Sequence, residues 1–559
     1  MIPLGLFELS ARVGTGGMAE VWSGVHVKER VPVAVKLVTE PEIRRPAFHA
    51  SLRNEVRAMA RLEHPGIVMV FDHGEVTQEA ADQSEGQLTV GTPYFAMELA
   101  NQGSALLWCG RMPWRKVKLV LVSLLRAMAH AHARNVIHRD IKPSNVLVFD
   151  GEVKLADFGL AIDLEPEGGT TRRRGRVLGT PAYMAPEQFV ADWREYGPPT
   201  DLYALGCLAF ALVCGGPPYG RGHDLTLMYE MHLEAVVPPL DPRMPVPQGF
   251  ERWLAQLMEK KPSRRYQRAA DALQALQALG DPPHDMVPLA DGLTSGVAIP
   301  SSIVTVASDV TPALRGVDSS GLDSVPPPGP APVVPKTWRR SKAPPRRSMG
   351  LLGAGLGLFG SRPVPLVARE EERDALWDGL REVNDSQETR MIMLEGPAGC
   401  GKSRLAQWLC ERSHEVGAAT VLKGGHGPQA GRVDGLAPMI ARYLRSEELT
   451  RPELTRFIAR KLARIGIYDG AETAALAELV EPDLEEIGTR RVRFGSASER
   501  YVLIARLLRT LAQQRPVILW LDDVQWGLDT LTFVHHILFE EEAFPLLMLL
   551  TARSDVLAE

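Results

Sequence analysis

The sequence predicts a multidomain chain: a mixed α+β domain, a proline-rich linker, then an α/β domain on a parallel sheet. Three observations predict it. Residues 7–278 alternate strand-like and helix-like patterns. Residues 281–363 hold 14 of the 43 prolines in 83 residues, with little hydrophobic periodicity, so 279–363 reads as a linker without a packed core. From residue 364 strand and helix alternate again, with buried-strand runs at Met391-Ile392-Met393-Leu394 and Val517-Ile518-Leu519-Trp520-Leu521.

Composition narrows the class. At 559 residues the chain is too long for one core, and a prior of roughly 150 residues per domain suggests several folding units. A hydrophobic share of 45% with 23% charged residues is that of a soluble globular protein. The net charge of −5 leaves no footprint for nucleic acid. Five scattered cysteines (Cys109, Cys207, Cys214, Cys400, Cys410) lack metal-ligand spacing and read as reduced thiols in a cytoplasm. The N-terminus has no basic leader, and no uncharged apolar run reaches the ~18 residues a membrane span needs. Residues 336–347 carry six positive charges, followed by a twelve-residue apolar run, 349–360, with five glycines. That pairing can mark a membrane-facing segment, but the run is too short to span, so it reads as solvated linker.

Within the first domain, Val13-Gly14-Thr15-Gly16-Gly17-Met18-Ala19-Glu20-Val21 is a glycine-rich turn whose backbone N–H groups can close over phosphates. Val33-Ala34-Val35-Lys36 follows at a distance that lets Lys36 reach the α/β-phosphates of ATP. The helix-like Leu52–Leu62 offers Glu55 as the acid that fixes Lys36; an exposed surface charge is the plainer reading of Glu55. Phe95-Ala96-Met97-Glu98-Leu99-Ala100 suits a segment lining an adenine pocket, with the backbone of Glu98 and Ala100 meeting the base. Val13, Val21, Ala34 and Leu147 would wall the ring, although a simple core role fits each in isolation.

His138-Arg139-Asp140-Ile141-Lys142-Pro143-Ser144-Asn145, followed by Asp157-Phe158-Gly159, carries the chemistry. Asp140 is the candidate base for an acceptor hydroxyl, and Lys142 can neutralise charge on the transferring phosphoryl group. Asn145 and Asp157 are oxygen ligands suited to Mg²⁺, with Mn²⁺ as an alternative. A structural His or Asp in a turn does not account for the whole constellation.

These residues resemble the eukaryotic-like Ser/Thr protein kinases of bacteria, which implies a bilobal protein kinase fold over 7–278 and protein substrates with serine or threonine acceptors. The resemblance continues through Gly179-Thr180-Pro181 to Ala185-Pro186-Glu187. It runs on through Thr200-Asp201, whose aspartate would brace the catalytic loop, and Arg265, which would pair with Glu187. One departure is the activation segment: Arg172 and Arg174 stand where relatives carry acceptor threonines, so Thr170 and Thr171 become the candidates for autophosphorylation. The cluster Arg172, Arg173, Arg174 and Arg176 reads as a solvated loop rather than a contact for acidic groups.

In the second domain, Gly396-Pro397-Ala398-Gly399-Cys400-Gly401-Lys402-Ser403 follows a strand and opens the helix-like Arg404–Glu411, the context a phosphate loop requires. Gly396, Gly399 and Gly401 give the loop its shape, Lys402 would reach the β/γ-phosphates of ATP, and the Ser403 hydroxyl would sit on Mg²⁺. Asp522 and Asp523, closing the run Val517–Leu521, suit the metal's water shell and an attacking water, and the strand ending Thr551-Ala552-Arg553 offers a polar sensor. This half resembles the signal-transduction ATPases with numerous domains, a branch of the AAA-like P-loop proteins, over 364–559. Ala368 in Val367-Ala368-Arg369-Glu370 stands where glycine is usual. The resemblance implies lid and winged-helix portions after the sensor strand, so the domain reads as C-terminally incomplete or as a reduced regulatory one. The leading expectation is a kinase whose P-loop domain couples nucleotide, or a regulatory protein partner, to output. An ATP-driven switch or scaffold, with the kinase fold not the main activity, is the alternative.

Overall fold

Strands whose alternate side chains are apolar build the first sheet: β1 (Ile2–Leu4), β2 (Phe7–Gly16), β3 (Ala19–His26), β4 (Pro32–Val38), β5 (Val70–Glu75) and β6 (Pro93–Glu98). They pair antiparallel in the order β1-β2-β3-β4-β6-β5. The computed structural model describes residues 1–16, 19–39, 56, 59–158, 162–163, 179–222, 224–282, 300–301, 333–339, 366–429, 434–446, 449–482, 493–539 and 541–557. One face of the sheet buries Leu4, Phe7, Leu9, Trp22, Val33, Val35 and Leu37. Ala34 and Met97, opposite each other on β4 and β6, belong to a second core that continues into the helices.

That helical half comprises α1 (Trp114–His132), α2 (Pro198–Cys214), α3 (Leu225–Leu233), α4 (Phe250–Leu257) and α5 (Ala269–Ala278). Nearly every residue of α2 is buried, as a helix apolar all round must be, and it ends at Gly215 in the left-handed conformation (φ 92°). Glu187, just before α2, forms a buried two-point ion pair with Arg265 (2.8 and 2.9 Å), the pairing expected from the resemblance. Between α1 and α2 lie β7 (Val136–Ile137), the hairpin β8 (Val146–Phe149) and β9 (Glu152–Leu155), and β10 (Ile162–Asp163), which pairs with β7. Asp150 and Gly151 close the hairpin, both at positive φ, the two-residue turn that matches strand twist. A two-residue strand, β11 (Pro300–Ser301), lies parallel to β2 at Thr15 and Gly16, where β1 no longer covers that edge.

The second unit has a parallel sheet of β12 (Arg390–Gly396), β13 (Thr420–Gly425), β14 (Val517–Asp522) and β15 (Leu546–Arg553), in the order β12-β15-β14-β13. Its helices are α6 (Glu370–Ser386), α7 (Lys402–Glu415), α8 (Leu436–Leu444), α9 (Arg451–Ala463), α10 (Gly470–Val480), α11 (Ala497–Ala512) and α12 (Leu528–Phe539). On β14 and β15, Ile518, Trp520, Leu547 and Leu549 pack with residues of α6 and α7, whereas Leu519, Leu521, Met548 and Leu550 pack with α8 to α12. Both faces of these two strands are covered, which explains their unbroken apolar runs. The run Met391–Leu394 differs: it lies in the outermost strand β12, and Met391 and Met393 stay 45% and 41% exposed.

The linker expectation is corrected at residues 333–339, which belong to the second unit. Val334 is buried with Leu376, Trp377 and Leu380 of α6, and Trp338 meets Trp408 of α7 edge-on. Proline content averaged over 83 residues hides a seven-residue stretch carrying two large apolar anchors. No helix among the described residues is long and apolar enough to cross a membrane.

Candidate functional site

The catalytic loop leaves β7 and is tied to α2 by one carboxylate. Buried Asp201 accepts the backbone N–H of His138 (2.9 Å) and of Arg139 (2.7 Å) and meets the His132 ring at 2.8 Å. Burial would raise the Asp201 carboxyl, but the His132 contact holds it below the ordinary carboxylate value. His138 donates from Nε2 to the Ala156 carbonyl and accepts the Asp140 N–H at Nδ1, a neutral tautomer that agrees with the downward shift burial imposes. Arg139 sits in the left-handed region (φ 69°), its carbonyl held by Gln188. These bonds spend the loop's backbone groups and aim the next side chain.

That side chain is Asp140. Its Oδ1 accepts the Thr180 N–H (3.1 Å) and hydroxyl (2.9 Å), and its Oδ2 meets Lys142 Nζ (2.8 Å) and the Asn145 amide (3.1 Å). Lys142 also donates to the Thr180 hydroxyl at 2.6 Å. Because the Asn145 amide nitrogen faces Asp140, its carbonyl oxygen turns the other way. Asp157, at φ 61°, pairs with Lys36 at 2.6 Å. Burial pushes the Asp157 carboxyl up, and Lys36 together with Lys142 and His138 more than reverses this, leaving it below the ordinary value.

Lys36 lies in register with Val21 on one side and Phe95 on the other, so the sheet carries the lysine beneath the glycine-rich turn. Gly14 pairs with Val21 and Thr15 with Glu20, while Glu20 binds Arg12 and the Trp22 ring nitrogen. Ala34 is buried, Val21 and Leu147 are half-buried, and Val13 is 52% exposed. Glu98 donates its N–H to the Met69 carbonyl and gives its carboxylate to Lys154. Gly17, Met18, Glu55, Thr170, Thr171 and the arginine cluster lie outside the described residues.

In the second unit the strand ends converge, as they do in parallel sheets. Gly396 closes β12, and Gly401 (φ 95°) caps α7, which starts at Lys402 rather than Arg404. A Cβ on Gly396 would lie 3.0 Å from Cys400 Sγ, and Gly399 has positive φ (77°) like Gly401, so all three of these glycines have steric reasons. Lys402 Nζ folds back onto the carbonyls of Gly396 (2.9 Å) and Pro397 (2.8 Å). The Ser403 hydroxyl donates to Asp522 Oδ1 at 2.8 Å, which also accepts the Thr551 hydroxyl. Asp523, at φ 54°, donates its N–H to Thr551 and accepts the Gln525 amide. Thr551, one of the polar residues at the strand end offered as a sensor, therefore ties the two aspartates to the neighbouring strand.

Sequence reasoning missed His426, one residue past β13. Its Nδ1 donates to the Asp522 carbonyl (2.9 Å) and its Nε2 accepts the Thr530 hydroxyl (2.8 Å), pinning the turn after β14. A Cβ on Gly527 would stand 2.4 Å from the His426 ring, so that turn accepts only glycine there. A lone histidine after a strand carries no motif, so nothing in the local sequence flagged it.

Comparison with known proteins follows the same division. A protein kinase domain model matches residues 7–278 and an AAA ATPase domain model matches 365–548. Serine/threonine-protein kinase PknA of Mycobacterium tuberculosis is 34% identical over 306 residues, 53% of this chain and 67% of that protein. Serine/threonine-protein kinase PknH of the same species is 33% identical over 343 residues, 61% of this chain and 49% of that protein. A probable serine/threonine-protein kinase of Streptomyces coelicolor is 32% identical over 284 residues, covering 50% and 40%.

Proposed function

The chain belongs to the bacterial Ser/Thr protein kinases and carries an appended AAA ATPase domain, and from that premise we propose which residues do the work. Both domains use ATP. Asp140 takes the proton of a serine or threonine hydroxyl and points that oxygen at the γ-phosphorus, while Lys142 neutralises the charge that develops there. Lys36 reaches the α/β-phosphates, with Glu55 as the acid that steadies it. Gly14, Gly16, Gly17 and the flanking Val13, Thr15, Met18, Ala19, Glu20 and Val21 cover the phosphates. Ala34, Met97 and Leu147 wall the adenine, and Glu98 with Ala100 present backbone to it.

The observation that carries this reading is the set of contacts on Asp140: a lysine, an asparagine and a hydroxyl, all donating to one buried carboxylate. The Asp157 carboxylate and the outward Asn145 oxygen are hard donors that fit Mg²⁺, or Mn²⁺, which would offset the triphosphate's charge. Phosphate transfer from ATP to a generic basic protein should fall by at least about a hundredfold in Asp140→Asn. Equal transfer by both proteins would refute the assignment.

For the second unit we propose ATP binding by Gly396, Gly399, Gly401, Lys402 and Ser403, with Ser403, Asp522 and Asp523 suited to the metal and its water. The Ser403–Asp522 bond favours this, since it joins the two groups such a site needs on one metal. We propose that this unit makes kinase output depend on nucleotide or on a regulatory protein. The free cysteines agree with a cytoplasmic setting. Measuring ATP hydrolysis in Lys36→Ala and Lys402→Ala apportions turnover. If only the Lys402 change abolishes it and no phosphoprotein forms, the switch reading replaces the kinase one.

A further inference from the structure

Residues 333–339 lie along α6 and α7 as an irregular strap fastened at four points. Val334 is buried against Leu376, Trp377 and Leu380. The Trp377 ring nitrogen donates to the Pro335 carbonyl (2.9 Å), and Arg412 of α7 donates to the Trp338 carbonyl (2.8 Å). Asp374 of α6 accepts both the Trp338 ring nitrogen (2.7 Å) and a two-point bond from Arg339 (2.7 and 2.9 Å). The Trp338 ring has the Arg339 guanidinium 4.7 Å and the Arg373 guanidinium 4.4 Å from its centre. Lys336 and Thr337, between the anchors, are exposed.

The seat of this strap is wired to the phosphate loop. Arg373, which holds Trp338, donates to the carbonyls of Ala368 and Arg369. Arg369 in turn donates to the carbonyl of Cys400 inside the loop (3.3 Å). Arg412 rises from α7, the helix whose first residue is Lys402. A loop that turns its N–H groups inward to phosphate turns its carbonyls outward, and Arg369 receives one of them there.

We propose that the face of α6 and α7 is a docking surface whose occupant is this chain's own segment 333–339, and that docking and nucleotide at the phosphate loop favour each other. The inference rests on the reading of Gly396–Ser403 as a nucleotide site. Nucleotide fixes the loop with the Cys400 carbonyl outward; this fixes Arg369 and Arg373, and Arg373 holds Trp338. By linkage the effect is reciprocal: a chain that cannot seat the strap must bind nucleotide more weakly by the same factor. The consequence is a linker whose free length between the kinase and ATPase units changes with nucleotide.

The test uses the full chain, Mg²⁺ and a fluorescent ADP analogue, and follows only the part of the binding that Lys402→Ala abolishes, so that the kinase site is not counted. Hydrogen exchange across 333–339 should slow when the nucleotide is added. Trp338→Ala should weaken nucleotide binding about fivefold or more, and the exposed Arg339→Ala should do so in the same direction without disturbing the core. Lys336→Ala, at an exposed position between the anchors, should bind as the wild type does. Wild-type affinity in both strap variants, or strap exchange indifferent to nucleotide, overturns the proposal. Failure of the wild type itself to bind, matching Lys402→Ala, sinks the phosphate-loop reading and this inference with it.

Discussion

The Thr180 hydroxyl donates to Asp140 at 2.9 Å while accepting Lys142 at 2.6 Å, so a residue of the activation segment joins the base to its lysine. Each of these bonds involves a charged, buried partner, and such bonds are strongest away from bulk solvent.

Thr180→Val removes both bonds and keeps the shape. The expected result is a fall in kcat of about tenfold or more, on the scale of one charge-assisted bond, with the KM for ATP little changed. Thr180→Ser should restore most of the rate. A valine variant as fast as wild type would show that Thr180 is a bystander.

Acid should loosen the first unit in a way that depends on Lys36. The Asp157 carboxyl is held low in the fold, so its contribution to stability is complete above the ordinary carboxylate pKa and is lost as pH falls through the lowered one. In Lys36→Met the burial remains and the compensating charge is gone, so the Asp157 pKa rises. The stability advantage of the wild type over Lys36→Met, from denaturant titrations followed by circular dichroism, should therefore be largest near neutral pH and vanish as pH falls through the lowered Asp157 pKa. An advantage that stays constant or grows on acidification would contradict the assignment.

Ala368 and Arg369 are consecutive residues in the left-handed region, at φ 61° and 60°. An L side chain there costs roughly 1–2 kcal/mol per residue, whereas glycine adopts it freely at the expense of unfolded-state entropy. Ala368→Gly should therefore stabilise the second unit by about 0.5–1 kcal/mol. A melting curve showing a loss instead would mean that the alanine methyl makes a contact worth more than the strain.

His426 and Gly527 should be energetically coupled. Gly527→Ala sets a methyl into the imidazole and should destabilise the unit by about 1–3 kcal/mol through overpacking. In a His426→Ala background the methyl has room, so the double variant should lose less than the sum of the singles. Strict additivity in denaturant titrations would show the close approach to be harmless.

Much of both sites was legible from residue order because their parts are neighbours in the chain. Asp140, Lys142 and Asn145 fall within one short loop, and Gly396 to Ser403 within one turn, so spacing alone places the groups. Strand and helix limits were legible only to within a few residues: α7 runs Lys402–Glu415 where Arg404–Glu411 was expected. What spacing does not encode is contact across the fold. His426 reaches Asp522 from the end of a different strand with no motif to announce it, whereas the Asp201 brace on the catalytic loop was legible through the family resemblance and not through spacing. The segment 333–339 was misread because its composition is that of a linker, while two side chains and Asp374 of α6 set its place.

Read as a string, the chain already declares phosphoryl-transfer chemistry and a second nucleotide loop, since those functions need certain groups at short, fixed separations along the backbone. Folding settles the rest: which carboxylates are shielded and paired, that Thr180 bridges base and lysine, and that a proline-rich stretch is fastened to a helix pair. Those outcomes depend on burial and on partners tens of residues apart, and burial exists only once the sheets and helices have packed.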